Sequence, residues 1–214
     1  MTTAAIRTLL FATLLLSPLA AAEDTGPTKF NEATVADLQA QMAAGTLTSV
    51  ELTNFYITRI LVLDQKGPGV NAVIELNPDA LAMARTADAK RRRGVVLGPL
   101  HGIPVLLKDN IDTGDKMQTT AGSFALFGMP ALRDSTIAAK LRAGGAVILG
   151  KTNLSEWANF RSFFSTSGWS GRGGLAHNPY SIDRNACGSS SGSAAAAHCQ
   201  CLGVSRRCVR RSIR

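Results

Sequence analysis

After residue 22 the chain has no segment long and apolar enough to span a bilayer. It has no internal repeat, which excludes solenoid and propeller architectures. Cysteine is absent from the first 186 residues: Cys187, Cys199, Cys201 and Cys208 all fall within the last 28. Acidic residues run out in the same region, where Asp183 is the one carboxylate beyond Glu156. The net charge of +8 is therefore lopsided. Removing Arg7 and the five arginines 206, 207, 210, 211 and 214 leaves +2 for the body. A basic tail can contact nucleic acid or acidic lipid. This one has no interleaved aromatics and no nucleic-acid motif, so nucleic acid is not an expected partner. The late cysteines admit a disulfide reading, and His198-Cys199-x-Cys201 admits half a zinc site.

What is present at the N-terminus is a charged start, an apolar run from Leu9 to Leu16, then Pro18 and Ala20-Ala21-Ala22. That order predicts a signal peptide over 1–22, cleavage after Ala22, and export to a periplasmic or secreted location without stable membrane association afterwards. An uncleaved anchor is the alternative. The hydrophobic fraction of 45% suits a globular body.

Along that body, Thr34 is placed to cap a helix with Val35, Leu38 and Met42 on one face, closed by Gly45. A second helix starts at Ser49 and runs past Leu63 to Lys66-Gly67-Pro68. Asn71 to Leu76 reads as a strand. Pro78-Asp79 opens a helix whose end, Lys90 to Arg93 then Gly94, places cations in the last turn and a glycine after it. From Gly98 a Gly/Pro turn feeds the apolar run Ile103 to Leu107, a buried strand with Lys108 at its C-terminal end. In open α/β sheets sites gather at that edge, although such a lysine also reaches water easily. Ser135 to Arg142 predicts a helix and Ala146 to Gly150 a buried strand. Lys151 to Trp157 predicts another helix, with Asn153 as cap and Glu156 completing a capping box. Trp169 to Asp183 reads as a long surface loop. Alternating strands and helices give a layered α/β fold class.

The most unusual stretch is Cys187 to Ala197, with three serines in a row among glycines and alanines. It reads as a tight turn opening a helix, with Gly188 and Gly192 supplying backbone freedom. A flexible linker is the bland alternative. A phosphate loop is a poor fit, since no Gly-Lys-Ser/Thr follows.

Four segments carry a resemblance: Gly98 to Asp112 (GPLHGIPVLLKDNID), Gly150 to Trp157 (GKTNLSEW), Asn178-Pro179-Tyr180, and Gly188 to Ala197 (GSSSGSAAAA). Together they resemble the amidase signature family of serine hydrolases. Trp157 to Arg161 and Gly168 to Gly174 look most like its peptide amidase branch. The resemblance implies an α/β/α fold with a mixed central sheet, of which the N-terminal half is present. It implies a Ser–cis-Ser–Lys catalytic set: Lys108 as base, Ser189 as the bridging serine in a cis peptide, and Ser212 as the candidate nucleophile. Ser190 and Gly188 are implied as supporting residues. It implies a small-molecule or peptide amide substrate, an acyl-serine intermediate, and neither metal nor cofactor. No signal for an oligomeric state is present. After Ala197 the Cys/Arg-rich stretch departs from the family pattern, and Arg210 and Arg211 stand where glycine is wanted. A reading-frame change there, and a poorly stable inactive fragment, are the corresponding expectations. A non-catalytic exported fragment with a basic tail is the alternative.

Overall fold

The structure is a computed structural model and describes residues 29–198. The predicted signal peptide, Cys199, Cys201, Cys208 and Ser212 lie outside those residues. A three-stranded sheet forms the middle layer: β1 (Val73–Leu76), β2 (Pro104–Lys108) and β3 (Val147–Thr152), in the order β1-β3-β2. β3 runs parallel to β2 and antiparallel to β1, so the sheet is mixed.

Apolar alternation on β3 explains the layering. Val147 and Leu149 face a cluster with Leu38 and Met42 of α1 (Val35–Ala44) and with Leu52 and Tyr56 of α2 (Ser49–Arg59). Ala80 and Ala84 of α3 (Ala80–Arg92) join that cluster. Ile148 faces the opposite way, onto Val105, Leu107, Met117 and Ala138 of α4 (Thr136–Ala143). Side chains alternate across a strand, so one strand serves both cores.

Local signals set most helix ends. Thr34 Oγ1 accepts from Asp37 N at 3.1 Å while Asp37 Oδ2 accepts from Thr34 N, a reciprocal capping box. Gly45 closes α1 at φ 74°. α2 starts at Ser49 as expected, and Thr48 before it is the cap, its side chain accepting from Glu51 N. α3 ends on its basic turn with Gly94 at φ 76°, as the composition predicts.

Four expectations are corrected. The second helix stops being α-helical at Arg59 and widens into a π-helical stretch, Ile60–Lys66. Within it the buried Asp64 carboxylate accepts from Ala72 N at 2.6 Å and Val73 N at 3.0 Å. The strand predicted from Asn71 starts at Val73, because Asn71 is left-handed at φ 55°. β3 continues through Lys151 and Thr152, and no α-helix follows. Finally, Trp169 to Asp183 is two small hairpins instead of a loop. β4 (Trp169–Ser170) pairs with β5 (Gly174–Leu175), and β6 (His177–Asn178) with β7 (Ser181–Asn185). The serine turn does open a helix, α5 (Ser191–His198). Among the described residues no helix is long and apolar enough to cross a membrane.

Candidate active site

Lys108 ends β2 and α5 packs beside it. Its Nζ donates to Ser189 Oγ at 3.0 Å and to Ser190 Oγ at 3.0 Å, joining residues 81 and 82 positions apart. Partial burial pushes the Lys108 ammonium below the ordinary lysine range, since desolvation disfavours the charged form. The neighbouring carboxylate does not oppose this. Asp109 is fully buried and committed elsewhere: it accepts from Thr120 Oγ1 at 2.5 Å, Gly122 N at 3.0 Å and Arg172 Nη1 at 3.2 Å. Lys108 therefore faces two hydroxyls without a salt-bridge partner among the described residues.

The turn that carries the serines is shaped by close packing. Cys187 is left-handed at φ 59°, and the Gly188–Ser189 peptide is cis. Neither Gly188 nor Gly192 has a positive φ, so the expected dihedral freedom is not what they provide. They provide space. A Cβ on Gly188 would lie 2.5 Å from Ser155 Oγ, and one on Gly192 would lie 2.3 Å from Ala72 O and 2.5 Å from Asn153 N. The first turn of α5 is thereby pressed onto the ends of β1 and β3, where Thr152 Oγ1 and Ser193 Oγ meet at 2.7 Å.

Ser155, which sequence reasoning passed over, and Asn153, which it assigned to a helix cap, position this turn. Ser155 is buried; its N donates to Ser189 O at 3.0 Å and its Oγ accepts from Gly168 N at 2.8 Å. Asn153 is also buried. Its Nδ2 donates to Asn71 O, Gly173 O and Gly174 O, and its Oδ1 accepts from Leu154 N and Ser170 Oγ. With its side chain so used, Asn153 cannot cap a helix. Glu156 is likewise diverted, accepting from Gly171 N at 2.6 Å. Trp157, Ala158 and Asn159 then take left-handed φ values of 48°, 55° and 72°, which no right-handed helix admits. Ser155 and Asn153 both lie in the GKTNLSEW segment, a polar run directly after a buried strand, and that context is the signal for them in the sequence.

Lys151, expected at a helix start, is a fully buried strand residue. Its Nζ donates to Ile111 O at 2.7 Å and Thr119 Oγ1 at 2.9 Å. Burial lowers its pKa, opposed by the charges of Asp109, Asp115, Glu75 and Asp112. Cys187 is a free, exposed thiol, and the described residues contain no cluster of metal-ligating side chains.

Residues 51–203 match the family model described as Amidase. A crystal structure of native peptide amidase from Stenotrophomonas maltophilia is similar at 56% identity and a TM-score of 0.79, over 81% of this chain and 35% of that one. The crystal structure of an amidase family protein from Bacillus anthracis is similar at 42% identity and a TM-score of 0.79, over 83% of this chain and 35% of that one. A probable amidase of Arabidopsis thaliana is 49% identical over 81% of this chain and 34% of its own length. The chain spans about a third of the length of these relatives. Its mixed sheet and packed helices are those of the amidase-signature fold. On the family match across most of its length, the chain belongs to the amidase signature family.

Proposed function

We propose that this protein is built to hydrolyse a carboxylic or peptide amide through an acyl-serine intermediate, with Lys108 and Ser189 as its proton relay. The observation that carries the reading is the 3.0 Å contact from Lys108 Nζ to Ser189 Oγ, made by a lysine whose charge is disfavoured by burial. Neutral Lys108 takes the Ser189 hydroxyl proton as Ser189 takes the proton of the nucleophilic serine. The alkoxide attacks the amide carbonyl, and the same relay returns the proton to the leaving amine. Water then hydrolyses the ester by the reverse route. Ser190 holds the lysine in place from its other side, and Gly188 keeps the turn against Ser155. Ser212 is the candidate nucleophile by its place in the sequence. The reading includes an exported location and requires no metal or cofactor.

Arg210 and Arg211 precede Ser212, where small residues would let backbone N–H groups close on an oxyanion. Losing one such donor typically costs ~2.7–4 kcal/mol in the barrier. We therefore expect ammonia release from a peptide amide to stay at background for the chain as written. The relay itself is tested without turnover, by following the Lys108 side chain in an NMR pH titration. Lys108 should titrate below the ordinary lysine range, and Ser189→Ala should move it. A titration like that of an exposed lysine, unmoved by Ser189→Ala, would sink the relay. Ammonia release above background that Lys108→Ala abolishes would support the relay and overturn the expected inactivity. Persistence of that release in Ser212→Ala would remove Ser212 from its role.

A further inference from the structure

Lys108 and Asp109 are neighbours in sequence with separate partners. Lys108 Nζ reaches Ser189 and Ser190, while Asp109 N donates to Thr152 O at 3.2 Å. The Asp109 carboxylate is completely buried. Its partners, Thr120 Oγ1, Gly122 N and Arg172 Nη1, all donate to it, as an ionised carboxylate requires. A negative charge beside a lysine favours the ammonium, the form that cannot act as a base.

Arg172 meets that charge. It stands in the turn between β4 and β5, where its N donates to Gly122 O at 2.8 Å. The next position admits no side chain, since a Cβ on Gly173 would lie 2.5 Å from Asn153 Oδ1. The Arg172 side chain is 9% exposed and lies over the Phe127 ring at 5.4 Å. Its Nη1 bonds Asp109, and its Nη2 bonds Glu75 of β1. Glu75 Oε2 also accepts from Gln118 N at 3.0 Å. One guanidinium thus ties the end of β2, β1 and the 118–122 turn to the hairpin. Buried ion pairs add little net stability, so stability is a weak reason for this one. Its place, one residue from Lys108, is the stronger reason.

The charges around Asp109 single out Arg172. Asp109 faces Arg172 from the hairpin and Lys151 from β3. Lys151 is shared, facing Asp115, Glu75 and Asp112 as well. The serine turn brings hydroxyls to Lys108 and no charge.

We propose that Arg172 is a positioning residue for the relay: it holds the Asp109 carboxylate off Lys108 and offsets its charge, leaving Lys108 to the two serine hydroxyls. The inference rests on the amide-hydrolase reading for what Lys108 does. Without Arg172, Asp109 either swings toward Lys108 or stays as an uncompensated charge beside it, and both favour the ammonium.

The test is the NMR pH titration of Lys108 in the full chain, with the amide spectrum as the check on folding. Arg172→Met should raise the Lys108 midpoint by about half a pH unit or more. Adding Asp109→Asn should bring it back to the starting value or below. Glu75→Gln cuts the same clamp from β1 but removes a negative charge, and should not raise the midpoint. A purely structural role would not sort these variants by charge. Arg172→Gln, which keeps an amide donor for Asp109, carries the same expected rise where the methionine variant does not fold. An unmoved midpoint in a folded Arg172 variant, a rise that Asp109→Asn does not reverse, or an equal rise in Glu75→Gln would each overturn the role. Failure of the relay is read separately, from a wild-type Lys108 that titrates like an exposed lysine and ignores Ser189→Ala. The Arg172 comparison is a difference between variants and does not depend on that starting value.

Discussion

The layers up to Thr152 and the loop-and-hairpin region from Asn153 to Cys187 are held together by different forces. The layers are held by apolar burial: Leu52, Ile60, Ile148 and Leu149 are completely buried. From Asn153 to Cys187 the buried apolar side chains among the described residues are Leu154 and Ala176, while Asn153, Ser155 and Ser170 are buried and polar. That region is held by side chains bonded to backbone. Burial is non-directional and forgives small shifts, whereas a buried hydrogen-bonding group left unmatched is costly. The site lies at the join. Lys108 comes from the layers, and Ser189 is anchored by Ser155 of the polar region.

The largest expected effect breaks the layered side. Leu52→Ala removes a fully buried side chain and should lower stability by about 2–5 kcal/mol, read from the urea midpoint. A loss below about 1 kcal/mol would mean the cluster collapses around the gap and the contrast is weaker than drawn. Asn153→Ala breaks the polar side. It leaves Asn71 O, Gly173 O and Ser170 Oγ without this partner and should cost about 2–3 kcal/mol. Its signature should be faster hydrogen exchange at the Arg172 and Gly173 amides while the β3 amides hold. Uniform acceleration would show that the two regions unfold as one.

The smallest effect sharpens the comparison through pH. Lys151 is depressed in the folded state, below its ordinary 10.5. The unfolded chain thus binds more protons between the two values, and stability rises with pH across that window. The contribution is present above the unfolded value and lost as pH falls through the folded one. Lys151→Met should flatten the rise of the urea midpoint with pH, leaving the contribution of Lys108, which is lowered in the same sense. An unchanged slope would mean that Lys151 does not titrate as its burial demands.

This contrast also explains what can be read from the sequence. The cap at Thr34, the basic end of α3, β2 and the placement of Lys108 at its edge follow from spacing and composition, because neighbours along the chain produce them. The helix expected after Lys151 does not form. Its capping-box spacing is local, and the side chains it needs are claimed by Ser170, Gly171, Gly173 and Asn71, far along the chain. Gly188 and Gly192 stand out in the sequence, but dihedral freedom is an incomplete reason for them. What demands them is the approach of Ser155 and of the β1 and β3 ends, which dihedral reasoning does not contain.

By itself the sequence determined the alternation of strands and helices, the burial of β2 and β3, and the small-residue turn that opens α5. Each rests on periodicity or on side-chain size within a few residues. The tertiary structure decided that Lys108 meets Ser189 and Ser190, that Asp109 turns away to Arg172, and that Lys151 is buried. These depend on hydrogen bonds between segments tens of residues apart, whose geometry exists only once the layers have packed.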